Sequence, residues 1–309
     1  MLPVEGDPAM FDALSTEATR PELTELDLWT TIDSVRVFAE DQHSVAAAVR
    51  DAAASIAVAI DAIANRMRAG GRLIYVGAGT GGRMAAVDAA EIGPSYGLHG
   101  RVIAVLAGGV EGFTEGREYY EDSAGAGAAE VGILEPTADD VVLGVSASGC
   151  TPYVLGGIAA GRAAGSLTIG FACTVGSELG AVSDLAIEVP TGAEIVAGST
   201  RLKAGSAQKC VLNAISTLVM VRLGRTYGNL MIDVVADNAK LRRRALRVVV
   251  QATGVDDARA AAVLDEAGGR AKVAVVALLA GVSTKRAEDA VRAAAGQVRY
   301  AVSLADARD

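Results

Sequence analysis

Cysteine is scarce in this chain of 309 residues, which has three: Cys150, Cys173 and Cys210. The three are odd in number and widely spaced, and none belongs to a Cys-x-x-Cys pair of the kind that binds zinc or exchanges electrons. We therefore expect no disulfide framework and no metal centre, and we expect a reducing compartment.

Positive charge is also in short supply. The 28 Lys and Arg residues are outnumbered by 37 Asp and Glu, so the net charge is -9 and the isoelectric point is about 4.9. Proteins that bind nucleic acid hold its phosphates with clustered Lys and Arg. The one basic cluster, Lys240–Arg244 with Arg247, is short and typical of a solvated helix face. The composition therefore predicts no nucleic-acid partner.

Long apolar runs are missing as well. Gly, Ser or a charged residue interrupts every apolar stretch before it reaches the roughly 20 residues that cross a bilayer. The first residues, MLPVEGDPAMFDAL, carry acids instead of the basic and then apolar pattern of a signal peptide. We expect no membrane association and a cytoplasmic location.

Short apolar strands alternate with helical patterns through the middle of the chain. Hydrophobic residues make up 51% of the sequence, which is enough for a substantial core. Strands that are apolar on both sides and separated by helices are typical of a parallel sheet covered on both faces. The sequence therefore predicts an α/β fold, a doubly wound parallel sheet in three αβα layers. Its predicted strands are Leu73–Val76, Val102–Leu106, Val141–Val145, Leu167–Ala172 and Leu185–Val189.

The helical pattern divides the chain into three parts. A short apolar pattern predicts one helix behind a loose arm within residues 1–45. The sheet-containing domain is predicted over 46–238. After Asn238 no strand-like run occurs, so we predict a small all-helical domain over 239–309, with a boundary near 238–245. The longer predicted helices are Val45–Arg68, Val110–Asp122, Pro152–Ala164 and Lys203–Leu223.

The first strand runs directly into a glycine-rich loop, Gly77-Ala78-Gly79-Thr80-Gly81-Gly82, and then a helix. Its glycines satisfy the Gly-x-Gly-x-x-Gly motif of dinucleotide-binding proteins, but that motif alone is a weak signal. A nicotinamide-binding unit also needs an acid at the end of its second strand to hold the ribose, and here that strand reads VIAVLAGG. We therefore expect no dinucleotide cofactor, and an anion held by backbone N–H groups instead.

A second loop of this kind follows the third strand and is rich in hydroxyl groups. It contains Ser146, Ser148, Gly149 and Thr151, and a helix follows it. Hydroxyl groups at a helix start can donate hydrogen bonds to phosphate oxygens. The simpler interpretation is an ordinary helix N-cap, but one hydroxyl group would be enough for that. Three hydroxyl groups around a glycine favour a phosphate site.

Five separated blocks of this sequence resemble, in order, segments of N-acetylmuramic acid 6-phosphate etherases. The similarity extends from about Thr16 to the C-terminal helices. The blocks are RLIYVGAGTGGRMAAVDAAE, SASGCTPYV, AEIVAGSTRLKAGSAQK, GNLMIDVVADNAKL and ATGVDDARAA.

This resemblance implies a fold, an assembly and a reaction. The α/β core would be a sugar isomerase (SIS) domain, and the protein a homodimer with its active site near the subunit boundary. The substrate would be a phosphorylated amino sugar, and no metal or redox cofactor would be needed. The D-lactyl ether at C3 of the open-chain sugar would be eliminated and water added back, giving N-acetylglucosamine 6-phosphate and D-lactate in cell-wall sugar recycling.

Such an elimination needs two proton carriers, a base for the C2 proton and an acid for the departing lactyl oxygen. By resemblance, Glu91 in DAAEIGPSYG is the acid and Glu121 in EYYEDS is the base. Glu91 also stands out in the sequence itself, because its neighbours are apolar or small. Glu121 belongs to an acidic run whose simplest interpretation is a solvated helix face, so its role rests on the resemblance.

The substrate-binding residues are predicted from the two loops and from the GSTRLKAG block. Arg201 and Lys203 suit phosphate or the lactyl carboxylate, although the sequence is equally consistent with surface positions. Glu194 either contacts the sugar or only orders the loop before them. The full predicted set is Gly79, Thr80, Gly81, Ser146, Ser148, Gly149, Thr151, Glu194, Arg201 and Lys203.

The chain departs from the family pattern at a few positions. Gly81 and Ala90 stand where relatives carry serine, Ile92-Gly93 replaces Cys-Pro, and Cys150 replaces an arginine. Loss of a serine and an arginine removes two expected ligand contacts, so the substrate or its affinity can differ. Two alternatives therefore stay open: a non-catalytic sugar-phosphate sensor, and an aldose–ketose isomerase acting on a phosphosugar.

Overall fold

The computed structural model describes residues 14–115, 118–234 and 239–307. By its internal contacts the chain divides into two compact units. The first contains the residues up to Ala90 and Arg101–Ile215, and the second contains Glu91–Gly100 and the residues from Ser216 onward. The boundary predicted near 238–245 lies partly outside the described residues and stays a prediction. Across the described ranges, no helix is long and apolar enough to cross a membrane.

Two helices precede the sheet, α1 (Thr31–Asp51) and α2 (Ala53–Arg68). Helix α1 begins at Thr30, whose side-chain oxygen accepts a hydrogen bond from the Asp33 N–H as an N-cap. The single helix predicted over Val45–Arg68 is wrong, because the Ala52 backbone leaves the helical region, at φ -83° and ψ 4°. Alanine is the best helix former, so the sequence carries no local signal for this interruption.

The five predicted strands form one sheet, and its parallel arrangement is confirmed. They are β1 (Leu73–Gly77), β2 (Val102–Leu106), β3 (Val141–Ser146), β4 (Leu167–Ala172) and β5 (Leu185–Glu188). The order across the sheet is β2-β1-β3-β4-β5, and every pair is parallel. The central strands β1 and β3 are buried along their whole length, as expected for a sheet covered on both faces.

This strand order places a topological switch point between β1 and β3. The chain passes from β1 to β2 on one side and from β3 to β4 and β5 on the other. In open α/β sheets, ligands bind in the crevice at the carboxyl ends of the strands beside such a point. The two loops singled out in the sequence follow these two strands, so both lie at the edge of the sheet where a ligand is expected.

The helices of the first unit include two that pack unusually closely, α5 (Ala124–Ile133) and α6 (Pro152–Ala163). A methyl group on Gly127 would lie 1.9 Å from the Tyr153 carbonyl oxygen, and one on Gly156 would lie 1.9 Å from the Ala124 carbonyl oxygen. The two backbones are therefore in contact, which only glycine permits. This packing fixes α6, and with it the hydroxyl-rich loop that precedes it. The other helices are α3 (Gly79–Tyr96), α4 (Gly109–Thr114), α7 (Glu178–Val182) and α8 (Lys203–Arg222).

The second unit is helical apart from a two-stranded antiparallel hairpin, β6 (Thr226–Tyr227) and β7 (Leu230–Met231), in the residues that the structure describes. The predicted helical C-terminal region is confirmed. Within it, Lys272 is buried and its Nζ lies 2.6 Å from Asp233 Oδ2. Burial lowers the pKa of Lys272, and Asp233 opposes that effect. The C-terminal helices are α9 (Ala239–Thr253), α10 (Asp257–Glu266), α11 (Ala271–Ala280), α12 (Thr284–Ala293) and α13 (Val298–Asp306).

Candidate active site

The glycine-rich loop after β1 brings the backbone close to other chain segments. Gly79 has a φ of +51°, which favours glycine, and it begins helix α3. A methyl group there would lie 2.7 Å from Glu121 Oε1. At Gly82 a methyl group would lie 2.7 Å from the Gly77 carbonyl oxygen, so the loop is as tight as its composition suggests. The predicted acid-base residue Glu121 and the predicted loop therefore meet.

The hydroxyl groups of the second loop bond to one another. Ser146 Oγ lies 2.7 Å from Thr151 Oγ1 and 3.3 Å from Ser148 Oγ, and it accepts a hydrogen bond from the Gly149 N–H. Thr151 occupies the N-cap position of α6, yet its side chain makes no capping bond. The simple N-cap interpretation therefore does not explain these three side chains. They form a compact cluster of hydroxyl groups at the end of β3.

A cavity of about 790 Å³ opens beside the first loop, within the first unit. Four of the predicted site residues line it: Gly79, Thr80, Glu121 and Arg201. The residues of the second loop are not among its walls, and neither are Gly81, Glu194 and Lys203. The walls comprise Gly79, Thr80, Arg83, Ala107, Gly112, Tyr119, Glu121, Asp122, Gly198, Ser199, Thr200 and Arg201.

Glu121 reaches the cavity because the predicted helix Val110–Asp122 is not continuous. Helix α4 ends at Thr114, and the extended backbone of Glu115, with φ -122° and ψ 129°, stops it. After Gly116 and Arg117, which lie outside the described residues, a short 3-10 helix covers Glu118–Asp122. The prediction of one helix is therefore wrong. Glu121 does not lie on a regular solvated helix face.

Glu194 and Lys203 are engaged inside the protein. The Glu194 carboxylate is 1% exposed and accepts hydrogen bonds of 2.9 Å from the N–H groups of Lys203 and Ala204. It therefore satisfies the free donors at the start of α8. Lys203 Nζ lies 3.1 Å from Asp41 Oδ1, which also accepts a hydrogen bond of 2.6 Å from Arg20. These contacts hold the chain that carries Arg201 against helix α1. A direct contact of Glu194 or Lys203 with substrate stays a prediction.

Glu91, the second predicted proton carrier, lies near the end of helix α3 and is exposed. It belongs to the second unit, as do the neighbouring departures from the family pattern, Ile92 and Gly93. Ile92 is buried, and a methyl group on Gly93 would lie 2.7 Å from His99 Nδ1. Gly93 therefore leaves room for the His99 ring. The catalytic role of Glu91 stays a prediction.

Two other departures lie in or beside the loops. Gly81 packs against the side chain of Gln208, whose Nε2 is 2.9 Å from the position of a methyl group on Gly81. Cys150 is buried with its Sγ 3.3 Å from Ser148 Oγ, and burial raises the pKa of this thiol. A neutral thiol therefore stands beside the hydroxyl cluster, at the position where the family resemblance led us to expect an arginine. An anion at this cluster stays a prediction, and the donors available to it are hydroxyl and N–H groups.

Sequence reasoning missed Arg83 and Tyr119 as cavity residues. Arg83 follows Gly79 by four residues on α3, so both lie on one face of that helix, and this spacing was a usable signal. The Tyr119 and Tyr120 rings are in tilted contact, with centroids 4.4 Å apart and planes 35° from parallel. The Tyr120 ring in turn lies against Gly108. Nothing in the sequence indicates the contact with Gly108, which is distant in the chain.

Known proteins with similar sequences show which family this chain belongs to. Residues 55–162 match the family described as glucokinase regulatory protein N-terminal SIS domain. The chain is 54% identical over 290 residues to an N-acetylmuramic acid 6-phosphate etherase of Rubrobacter xylanophilus, covering 94% of this chain and 96% of that one. It is 46% identical over 298 residues to the etherase of Streptomyces coelicolor, covering 96% of both chains. Similarity of this extent, from the N-terminal helices to the C-terminal ones, places the chain in the N-acetylmuramic acid 6-phosphate etherase family.

Proposed function

We propose that this protein is a lyase that cleaves the D-lactyl ether of N-acetylmuramic acid 6-phosphate. The products are N-acetylglucosamine 6-phosphate and D-lactate, formed by elimination across C2 and C3 followed by addition of water. The observation that carries the proposal is the position of Glu121, in a chain of the etherase family. Its carboxylate meets the loop after β1 in a cavity at the switch point of the sheet.

The chemistry of this step requires proton transfer at two places. In the open-chain sugar the C1 aldehyde acidifies the C2 proton, which Glu121 removes. The lactyl oxygen on C3 then leaves as a hydroxyl group once Glu91 has protonated it. General acid-base catalysis by a positioned carboxyl group contributes about 10² to 10⁴ in rate for each role. Addition of water to the resulting double bond reverses the same proton transfers.

The assay that tests the proposal uses purified protein and N-acetylmuramic acid 6-phosphate, with D-lactate as the measured product. We expect D-lactate and N-acetylglucosamine 6-phosphate to appear in equal amounts. Formation of a ketose phosphate without lactate would instead identify an isomerase. Absence of lactate under conditions where the sugar phosphate binds would overturn the etherase function.

One observation favours a second candidate, a non-catalytic sugar-phosphate sensor. The matched SIS family is named for a regulatory protein. A sensor would bind the sugar phosphate without exchanging its C2 proton and without releasing lactate. The position of Glu121 in the cavity supports the enzyme, because binding alone does not require a carboxylate beside an anion-binding loop.

The phosphate of the substrate is proposed to bind at the hydroxyl cluster of Ser146, Ser148 and Thr151. Ser148→Ala should raise KM for the substrate about 10-fold to 100-fold and change kcat little, because a hydrogen bond to a charged group contributes about 1.5–3 kcal/mol to ground state and transition state alike. Steady-state kinetics check this, with Ser303→Ala, an exposed hydroxyl on α13, as the control. An unchanged KM would remove Ser148 from the phosphate site.

The protein is also proposed to act as a cytoplasmic homodimer in cell-wall sugar recycling. An apolar face supports the dimer, because Ile32, Val35 and Phe38 are exposed at helical spacing on α1, and Leu28 is exposed just before it. Exposed apolar patches of this kind mark interfaces, and here we assign the face to a second copy. Sedimentation equilibrium at micromolar concentration should give twice the chain mass of 31.3 kDa. A monomer under these conditions would refute the dimer.

A further inference from the structure

We propose that Arg83 binds the lactyl carboxylate and so makes the site bind a lactyl ether more tightly than an unsubstituted sugar phosphate. This inference rests on the proposed function, because it assigns a partner to one particular group of that substrate. Arg83 lies on α3 and lines the cavity together with Glu121.

The substrate carries two anionic groups, so it requires two separate anion-binding sites. Its phosphate is on C6 and its carboxylate is on the lactyl group at C3. The base at C2 acts on the carbon next to C3, so the carboxylate has to lie close to Glu121. The phosphate lies three carbons further along the sugar, and we assign it to the hydroxyl cluster. A cation that lines the same cavity as Glu121 is therefore well placed to bind the carboxylate.

The basic side chains near this cavity differ in how they are held. Lys203 pairs with Asp41, and Arg201 lines the cavity but is exposed. Arg83 is half-buried, and its Nε donates a hydrogen bond of 3.1 Å to the Gly112 carbonyl oxygen. Among the residues that the structure describes, Arg83 has no carboxylate within ion-pair distance. Its terminal nitrogens are therefore the donors best suited to a carboxylate in this cavity.

Gly112 holds the Arg83 side chain in one orientation. A methyl group on Gly112 would lie 2.0 Å from the Ala107 carbonyl oxygen, so the backbone here is tightly packed against the segment after β2. The Gly112 carbonyl group is consequently fixed in place, and the bond to Nε fixes the guanidinium plane. A guanidinium fork that is oriented in advance loses little side-chain entropy when it binds a carboxylate through two parallel hydrogen bonds.

The test compares N-acetylmuramic acid 6-phosphate with its analogue in which the lactyl carboxylate is a carboxamide. Dissociation constants are measured by calorimetry in a Glu121→Gln background, so that turnover does not interfere. With Arg83 present, the acid should bind about 10-fold to 100-fold more tightly than the amide, as expected for charge-assisted hydrogen bonds. With Arg83→Gln, acid and amide should bind within about threefold of each other. Arg83→Lys should restore part of the preference, since it keeps the charge and loses the fork.

N-acetylglucosamine 6-phosphate is the matched control ligand, because it has the phosphate and no lactyl group. Its dissociation constant should change less than about twofold in Arg83→Gln. An equal weakening of this ligand would overturn the proposal and place Arg83 at the phosphate or the sugar. Equal binding of acid and amide by the protein with Arg83 intact would also overturn it, and that comparison needs no Arg83 variant to fold. A preference for the acid in a protein that releases no lactate would contradict the proposed function alone.

Discussion

Replacing Glu121 by Gln should abolish both D-lactate release and exchange of the substrate's C2 proton with solvent deuterium. The amide keeps the shape of the side chain but cannot accept the proton, and we expect a loss of about 10² to 10⁴ in rate. Proton exchange is measured by mass spectrometry of recovered substrate in D₂O, and lactate release by an enzyme-coupled assay. Exchange at the normal rate in this variant would show that another group is the base.

Glu91→Gln should separate the two steps. Abstraction of the C2 proton precedes departure of the ether oxygen, so this variant should still exchange deuterium while lactate release falls by about 10² to 10⁴. Glu111→Gln is a control for the change of charge, because Glu111 belongs to the same acidic run as Glu121 and does not line the cavity. Near-normal lactate release in both variants would refute the assignment of these two carboxylates.

Asp140→Asn should lower the free energy of unfolding at pH 7 by about 2–4 kcal/mol, since it breaks a largely buried ion pair. The Asp140 carboxylate accepts hydrogen bonds from the Arg72 N–H at 2.6 Å, from Arg72 Nη2 at 2.7 Å and from the Thr137 N–H at 2.9 Å. These bonds join the residue before β1 to the residue before β3, the two strands beside the switch point. Urea unfolding monitored by circular dichroism measures the change.

The same carboxyl group makes stability depend on pH in a defined direction. Burial alone would raise the pKa of Asp140, but the hydrogen bonds from Arg72 and Thr137 outweigh it and lower the pKa from 3.8 to about 2. A group with a lowered folded-state pKa stabilises the protein above its unfolded-state pKa, and this contribution is lost as the pH falls toward the folded-state value. The contribution of the Asp140 carboxylate to the free energy of unfolding amounts to about 2 kcal/mol.

The difference in free energy of unfolding between the parent protein and Asp140→Asn should therefore be about 2 kcal/mol smaller at pH 2 than at pH 5. Asp139→Asn is the matched control, since it makes the same change of charge at an exposed neighbouring residue. A difference between parent and Asp140→Asn that stays constant from pH 5 to pH 2 would contradict the lowered pKa.

The parallel sheet and the position of both loops could be predicted because their signals are local. Each strand is a short apolar run, and parallel strands bring their carboxyl ends to one edge whatever the details of packing. The cluster of hydroxyl groups at the end of β3 could be predicted for the same reason, since the sequence places Ser146, Ser148 and Thr151 within six residues of one another. The family resemblance added the choice of Glu121, which composition alone did not support.

Other features depend on contacts between residues far apart in the chain, and only the tertiary structure decides them. The bond from Arg83 to Gly112, the cap that Glu194 forms on α8 and the pairing of Lys203 with Asp41 each join separate elements. The interruption at Ala52 and the 3-10 helix that carries Glu121 likewise occur where the sequence pattern predicts a continuous helix. Local periodicity determined the strands, most of the helices and the two loops. Packing between distant segments determined which charged side chains face the cavity. The orientation of a charged side chain depends on the groups nearest to it in space and not on its neighbours in sequence.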